Sequence, residues 1–387
     1  MVYGSQGVYR DKEMNYSDPL QEYAVKLLER MVEINSPSGE ESSLSYFLES
    51  KMISLGYEAQ IDPAGNVVGK IGTGSPIILL SGHMDTVPLG PTVSNKDGYL
   101  YGRGAVDAKG ALAAMIIAGK QIIDEGFKGS LIMACTVQEE GDNSGIRALI
   151  DSRVQADFAV FGEPTNTNTL TFAYKGCLML KVRCMTEPGH SSAPWLYKNA
   201  IEESMEIYKS LKQVTVALSD TSEGFDAITV CIRSIEGGQN VGVIPSECVM
   251  IVEFRVPLNI DTGTVKEKID KEISSYQNEN PAVRIVHCFY RSVEPYKADK
   301  KSLLVRAFSR TIYDKFRKPV ILVKKSGVGD MSYYGKTFDI PVITYGPGDA
   351  HMSHTKYERI KIDDFLVSIE IIKSSILCLE QLLRKTR

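Results

Sequence analysis

The sequence predicts an α/β catalytic domain built on a mixed, mostly parallel sheet, with a smaller ferredoxin-like α+β domain inserted into it. Three observations lead there. Short continuous apolar runs at 76–81, 131–137, 158–161 and 341–345 alternate with helical stretches such as 111–125, the pattern of strands covered on both faces. The middle of the chain reads strand (176–184), helix (199–214), two strands (227–233 and 247–256), helix (264–276) and strand (283–290), the β-α-β-β-α-β order. The length, 387 residues, is too great for one core and comfortable for two. The expected division is 1–172 and 291–387 for the catalytic domain and 173–290 for the insert, a lid and dimerisation domain.

Along the chain, residues before Asp18 read as a loosely attached arm. Asp18-Pro19 opens a helix, with proline where its missing N–H costs nothing. Leu20, Tyr23, Ala24, Leu27, Leu28 and Met31 give that helix one apolar face. Asn35-Ser36-Pro37-Ser38-Gly39 breaks it, and Ser38 with Glu41 predicts a capping box for a second helix ending at Gly56.

Composition narrows the function. Hydrophobic residues make up 43% and charged residues 24%, as in ordinary globular proteins. A net charge of −4 argues against a general nucleic-acid binder, which needs a basic surface. The longest apolar runs fall far short of the ~20 residues of a membrane span, and the polar N-terminus lacks the apolar stretch of a secretion signal. The 7 cysteines form no C-x-x-C pair and read as reduced thiols, so a cytoplasmic location is expected.

Chemistry-bearing residues follow the apolar strands. Gly82-His83-Met84-Asp85 follows the first, Gln138-Glu139-Glu140-Gly141 the second and Gly162-Glu163-Pro164 the third. Gly346-Pro347-Gly348, then His351 and His354, follow the fourth. Gly102-Arg103-Gly104-Ala105-Val106-Asp107 is a glycine-rich loop entering a helix. Ligands of α/β sheets bind at the carboxyl ends of strands. Imidazole and carboxylate donors without thiolates suit zinc, cobalt or manganese. Two adjacent glutamates suit two tasks, one holding metal and one moving a proton. Singly each has a bland explanation, a structural histidine or a solvated loop; together they lead to a metal hydrolase.

The segments 81–88, 102–110, 138–141 and 162–164, with His190-Ser191-Ser192-Ala193-Pro194 and Asn199-Ala200-Ile201, resemble the motifs of the aminoacylase, acetylornithine deacetylase and succinyl-diaminopimelate desuccinylase family of dinuclear metallohydrolases. The resemblance covers nearly the whole chain in order. It implies that His83 and Glu163 hold one metal ion and Glu140 and His354 the other, with Asp107 bridging. It makes Asp85 the carboxylate that orients His83, and Glu139 the general base and then acid. His190 is implied as an oxyanion stabiliser from the lid, across a homodimer, and Arg255 as the grip on a substrate carboxylate. Two divalent ions are implied, zinc first, with cobalt or manganese as alternatives. Gly346-Pro347-Gly348-Asp349, His354-Thr355 and the stretch 324–331 are closest to hydrolases that release lysine or ornithine from a small acidic amino-group carrier protein, joined through the γ-carboxyl of its C-terminal glutamate. Lys324 and Lys325 are candidate contacts for that carrier.

Some positions depart from the pattern. Gly242 stands where many members carry asparagine, the nearest being Asn240, and Ser353 where an acid is frequent. His351 and His354 are both possible ligands by position; Thr355 favours His354. His287 reads as structural, and Trp195 either lines the mouth of the site or packs within the lid. A deacetylase of free N-acetyl-ornithine or N-acetyl-lysine, a di- or tripeptidase, and an inactive scaffold are the competing readings.

Overall fold

The computed structural model describes residues 19–219, 224–238 and 241–386; the expected arm, Asp18 and Asn240 lie outside them. Two compact units are present: Met1–Thr171 with Asp299–Leu322 and Thr337–Arg387, and Phe172–Ala298 with Val323–Lys336. The boundaries expected from the sequence did not foresee that 323–336 groups with the second unit.

In the first unit, strand Ile77–His83 runs parallel to Ser130–Thr136 on one side and to Phe158–Gly162 on the other. Val342–Thr344 continues the parallel set beside Phe158–Gly162. Val67–Gly72 pairs antiparallel with Ser130–Thr136, and Glu58–Ile61 with Val67–Gly72, so the sheet is mixed with a parallel centre. Six of the seven residues of Ile77–His83 and all of Phe158–Gly162 are buried, which is why these strands read as continuous apolar runs rather than alternating ones.

Helix Lys109–Asp124 explains the thickness of this core. Every residue from Lys109 to Gly119 is buried, because the helix lies between the sheet and helices Pro19–Glu33 and Ile362–Thr386. A helix apolar all round must be covered all round. Truncating a side chain such as Leu112 or Ile116 there costs about 2–5 kcal/mol in comparable cores. Lys109, at its start, is the exception in kind: its buried ammonium donates to the carbonyls of Met31 (2.9 Å) and Ile34 (2.7 Å). It thereby satisfies acceptors at the C-terminal end of Pro19–Glu33.

The expected capping box does not form. Helix Ser42–Ser54 begins after Glu41 without a side-chain cap. Ser38 instead donates to Asp85 (2.7 Å), and Glu41 accepts from the backbone N–H groups of Gly39 and Gln138 (3.0 and 3.1 Å). Tertiary partners outcompete the local pairing because they lie in a buried, low-dielectric setting.

The second unit holds an antiparallel sheet in the order Thr229–Gly237, Glu247–Val256, Gly176–Met185, Arg284–Val293. Leu178, Leu180, Val182, Met250, Val252 and Phe254 form its core with residues of helices Ala200–Ala217 and Thr262–Glu279. Asn199 and Asp261 cap those helices by accepting from Ile201 N–H and Thr264 N–H. Trp195 is 78% exposed, so it does not pack within this unit. His287 pairs with Asp270 at 2.7 Å, and Lys324 with Asp226 at 3.3 Å while lying over the Phe225 ring. All seven cysteines are free; four are buried, whereas Cys231 and Cys288 are exposed. No helix among the described residues is long and apolar enough to cross a membrane.

Candidate metal centre

Parallel register brings the candidate residues together. His83 lies opposite Thr136, and Gly82 opposite Gly162, so the residues just past the two neighbouring strand ends, Glu139, Glu140 and Glu163, emerge on the edge where His83 ends its strand. Asp107 arrives from the loop before helix Lys109–Asp124. His354 arrives after the turn Ala350–Met352 that follows strand Val342–Thr344. Gly346 permits that approach: a Cβ there would stand 2.7 Å from the Glu163 carbonyl oxygen and from the Ala111 side chain.

Asp107 occupies the middle. Its Oδ1 is 3.2 Å from His83 Nε2 and its Oδ2 is 3.4 Å from His354 Nε2. His83 Nε2 is 3.8 Å from Glu163 Oε1, and His354 Nε2 is 2.5 Å from Glu140 Oε1. Among the described residues three overlapping groups can hold a cation: His83 with Asp107 and Glu163, Asp107 with Glu140 and His354, and His83 with Glu139 and Glu140. Each group gathers its donor atoms within 4.8 Å of one another. One carboxylate facing two imidazoles with different oxygens fits a pair of divalent ions ~3.5–4 Å apart, and the donor set is oxygen and nitrogen without sulfur. His351 is not part of it; its side chain is 95% exposed and pairs with Asp349.

The supports are in place around this set. The Asp85 carboxylate accepts from the backbone N–H groups of both Glu139 and Glu140 at 3.0 Å, and from Ser38. His83 Nδ1 is 2.9 Å from the Asp85 carbonyl oxygen and 3.4 Å from its carboxylate. Asp85 therefore orients His83 mainly through its backbone, while its carboxylate carries the glutamate turn. Asn143 and Gln138, both with left-handed backbone, close that turn through Asn143 N–H to the Gln138 carbonyl at 2.7 Å. His354 also sits at φ 62°, an uncommon conformation for a side-chain-bearing residue and frequent at functional sites.

Electrostatics follow the geometry. Burial alone would raise the Asp107 pKa, but hydrogen bonds with His354 and His83 outweigh it and hold the carboxyl well below the usual range. Burial alone would lower the His83 pKa; Asp107 and Asp85 reverse that and lift it above 6.5. His354 is raised to about 10, first by Asp107 and then by Glu140. In the metal-free protein the His354 imidazole is thus protonated at neutral pH, the His83 shift runs in the same direction, and such protons compete with cations for the same lone pairs. Affinity for divalent ions therefore rises with pH up to the His354 value of about 10. A pH-stat titration of metal-free protein at pH 7 with Zn²⁺ is expected to release at least the His354 proton, about one per chain; release of none would contradict the protonated centre.

His190 and Arg255 belong to the second unit. His190 is exposed, bridges to Val243, and its Nδ1 accepts from Ser192 N–H at 3.1 Å. A backbone N–H can only donate, so neutral His190 carries its proton on Nε2. Arg255 pairs with Glu253, which also accepts from Arg233 at 3.2 Å. Reasoning from the sequence missed Glu358 and gave Arg103, Ser38 and Glu41 no role at this site. Glu358 follows His354 by four positions within a polar run, and nothing in that run signals burial.

The fold and this cluster define a metal-dependent hydrolase of amide bonds. The chain belongs to peptidase family M20/M25/M40, whose profile matches residues 79–377. It is 30% identical, over 92% of its length and 96% of the relative's, to the LysW-lysine/LysW-ornithine hydrolase of Sulfurisphaera tokodaii. A Pyrococcus furiosus relative that bears the same name provisionally is 36% identical over 92% of this chain and 97% of its own. The M20 family metallo-carboxypeptidase Sso-CP2 of Sulfolobus solfataricus shares the fold, with a TM-score of 0.79 at 17% identity over 94% of this chain and 99% of that one.

Proposed function

We propose that this chain hydrolyses the amide that joins lysine or ornithine to the amino-group carrier protein LysW, in lysine and arginine biosynthesis. The observation that carries this reading is the pair of full-length relatives of that name, joined to a centre whose donors suit two divalent ions. We assign His83 and Glu163 to one ion, Glu140 and His354 to the other, and Asp107 to both. Zinc is the ion proposed first, with cobalt or manganese as alternatives. Such ions supply Lewis acidity toward the amide carbonyl and lower the pKa of a water.

The chain's own residues do the rest. Glu139 takes the proton from the attacking water and returns it to the departing amine. Asp85 holds Glu139 and Glu140 in place through their backbone N–H groups. His190, with its proton on Nε2, is in the donor form that an oxyanion needs. Arg255 offers its remaining N–H groups to a substrate carboxylate. We assign the second unit as lid and dimer interface of a cytoplasmic homodimer, with His190 supplied across the dimer. The test is mass spectrometry of purified protein with carrier-linked lysine, carrier-linked ornithine, N-acetyl-ornithine and N-acetyl-lysine. Release from the carrier is expected; cleavage of the acetyl compounds alone overturns the assignment.

A further inference from the structure

Glu358 has no role in the account above, yet it is fully buried. One carboxylate oxygen accepts from the backbone N–H groups of Val106 (3.1 Å) and Asp107 (3.2 Å). The other is paired with the guanidinium of Arg103. The Glu358 carbonyl accepts from Gly102 N–H at 3.2 Å. Arg103 in turn donates to the carbonyls of His354 (3.4 Å) and Leu89. Two stretches 251 and more positions apart are therefore laced together just beside Asp107 and His354.

The lacing has a physical reason. The N–H groups of residues 106 and 107 precede helix Lys109–Asp124 and lie beyond the reach of its ladder, so they need an acceptor from elsewhere. A buried carboxylate supplies one, and the cost of burying it is offset by the guanidinium and the two N–H groups. Every polar atom of such a pair is engaged, which makes the linkage stiff. Asp107 turns one oxygen toward His83 and the other toward His354, and the clasp, through Arg103 and the His354 carbonyl, holds the side that faces His354.

We propose that Glu358 and Arg103 are positioning residues: a buried clasp that fixes the Asp107 backbone against the His354 segment and so sets the cation position shared by Asp107, Glu140 and His354. This rests on the two-cation reading given above. The cation at His83 and Glu163, whose residues end neighbouring strands, depends on the clasp less.

Calorimetric titration of metal-free protein with Zn²⁺ alone tests this, using wild type, Glu358→Gln, Arg103→Met and the double variant. Gln keeps the volume and one acceptor for the two N–H groups but loses the ionic partner of Arg103. Wild type is expected to take up two equivalents. In each single variant one equivalent stays near wild type and the other weakens by roughly 10- to 100-fold. The double variant, which leaves neither buried charge unpaired, is expected to be no weaker than the worse single, because the two residues act as one unit. Unchanged binding of both equivalents overturns the clasp alone. Equal weakening of both equivalents, with the melting temperature of the metal-free protein lowered in parallel, also overturns it in favour of general loosening. A wild type that binds one equivalent only overturns the two-cation reading and the clasp with it.

Discussion

Replacing Asp107 with Ala is expected to lower kcat/KM by roughly 1,000-fold or more and to leave the protein unable to retain two divalent ions. The carboxylate stands between two imidazoles, 3.2 Å from one and 3.4 Å from the other, and each of its oxygens serves a different group of donors. Without it, each group falls to two protein ligands, and the one anion common to both is lost. Lewis-acid stabilisation by paired ions is worth several kcal/mol, and about 1.36 kcal/mol corresponds to tenfold in rate. The loss also reaches the metal-free state. His83 and His354 owe their raised pKa values in part to Asp107, so in the variant both imidazoles are expected to lose protons at lower pH than in wild type. Elemental analysis after dialysis, together with steady-state kinetics, checks this. Two ions per chain with activity within tenfold of wild type would remove Asp107 from the centre.

The alternation of apolar strands and helices was legible in the sequence because the parallel strands are covered on both faces; runs such as 77–80 and 158–161 need no partner to be recognised. Register was not. That His83 lies opposite Thr136 and Gly82 opposite Gly162 is a property of three strands together, and it is this pairing that turns separated motifs into one cluster. The choice between His351 and His354 was open by position. A short turn leaves the His351 imidazole 95% exposed and brings that of His354 to 2.5 Å from Glu140, which favours His354. Ser38 and Glu41 had the spacing of a capping box, and long-range partners in the Asp85 region took them instead. Glu358 was illegible for a related reason. A glutamate between tyrosine and arginine in a polar segment looks solvated, and only the unpaired N–H groups of a loop some 250 positions earlier give it a buried role.

Exchanging Glu139 for Gln separates the two tasks that adjacent glutamates can divide. The backbone N–H of residue 139 keeps its bond to Asp85, Glu140 keeps its place beside His354, and Gln fills the same space, so the cluster is expected to hold its ions. What is lost is a group that can accept a proton from water and deliver it to an amine. General-base catalysis of this kind contributes about 10²- to 10⁴-fold; kcat is expected to fall by that amount with KM within a few-fold of wild type, since the proton moves in the transition state and not on binding. The geometry also admits the opposite assignment, because Glu139 stands with His83 and Glu140 in one of the three possible ligand groups. A ligand and a base respond differently to the same exchange. Loss of metal from Glu139→Gln, with activity restored by excess Zn²⁺, would make it a ligand; full occupancy with a low kcat that excess metal does not restore makes it the base.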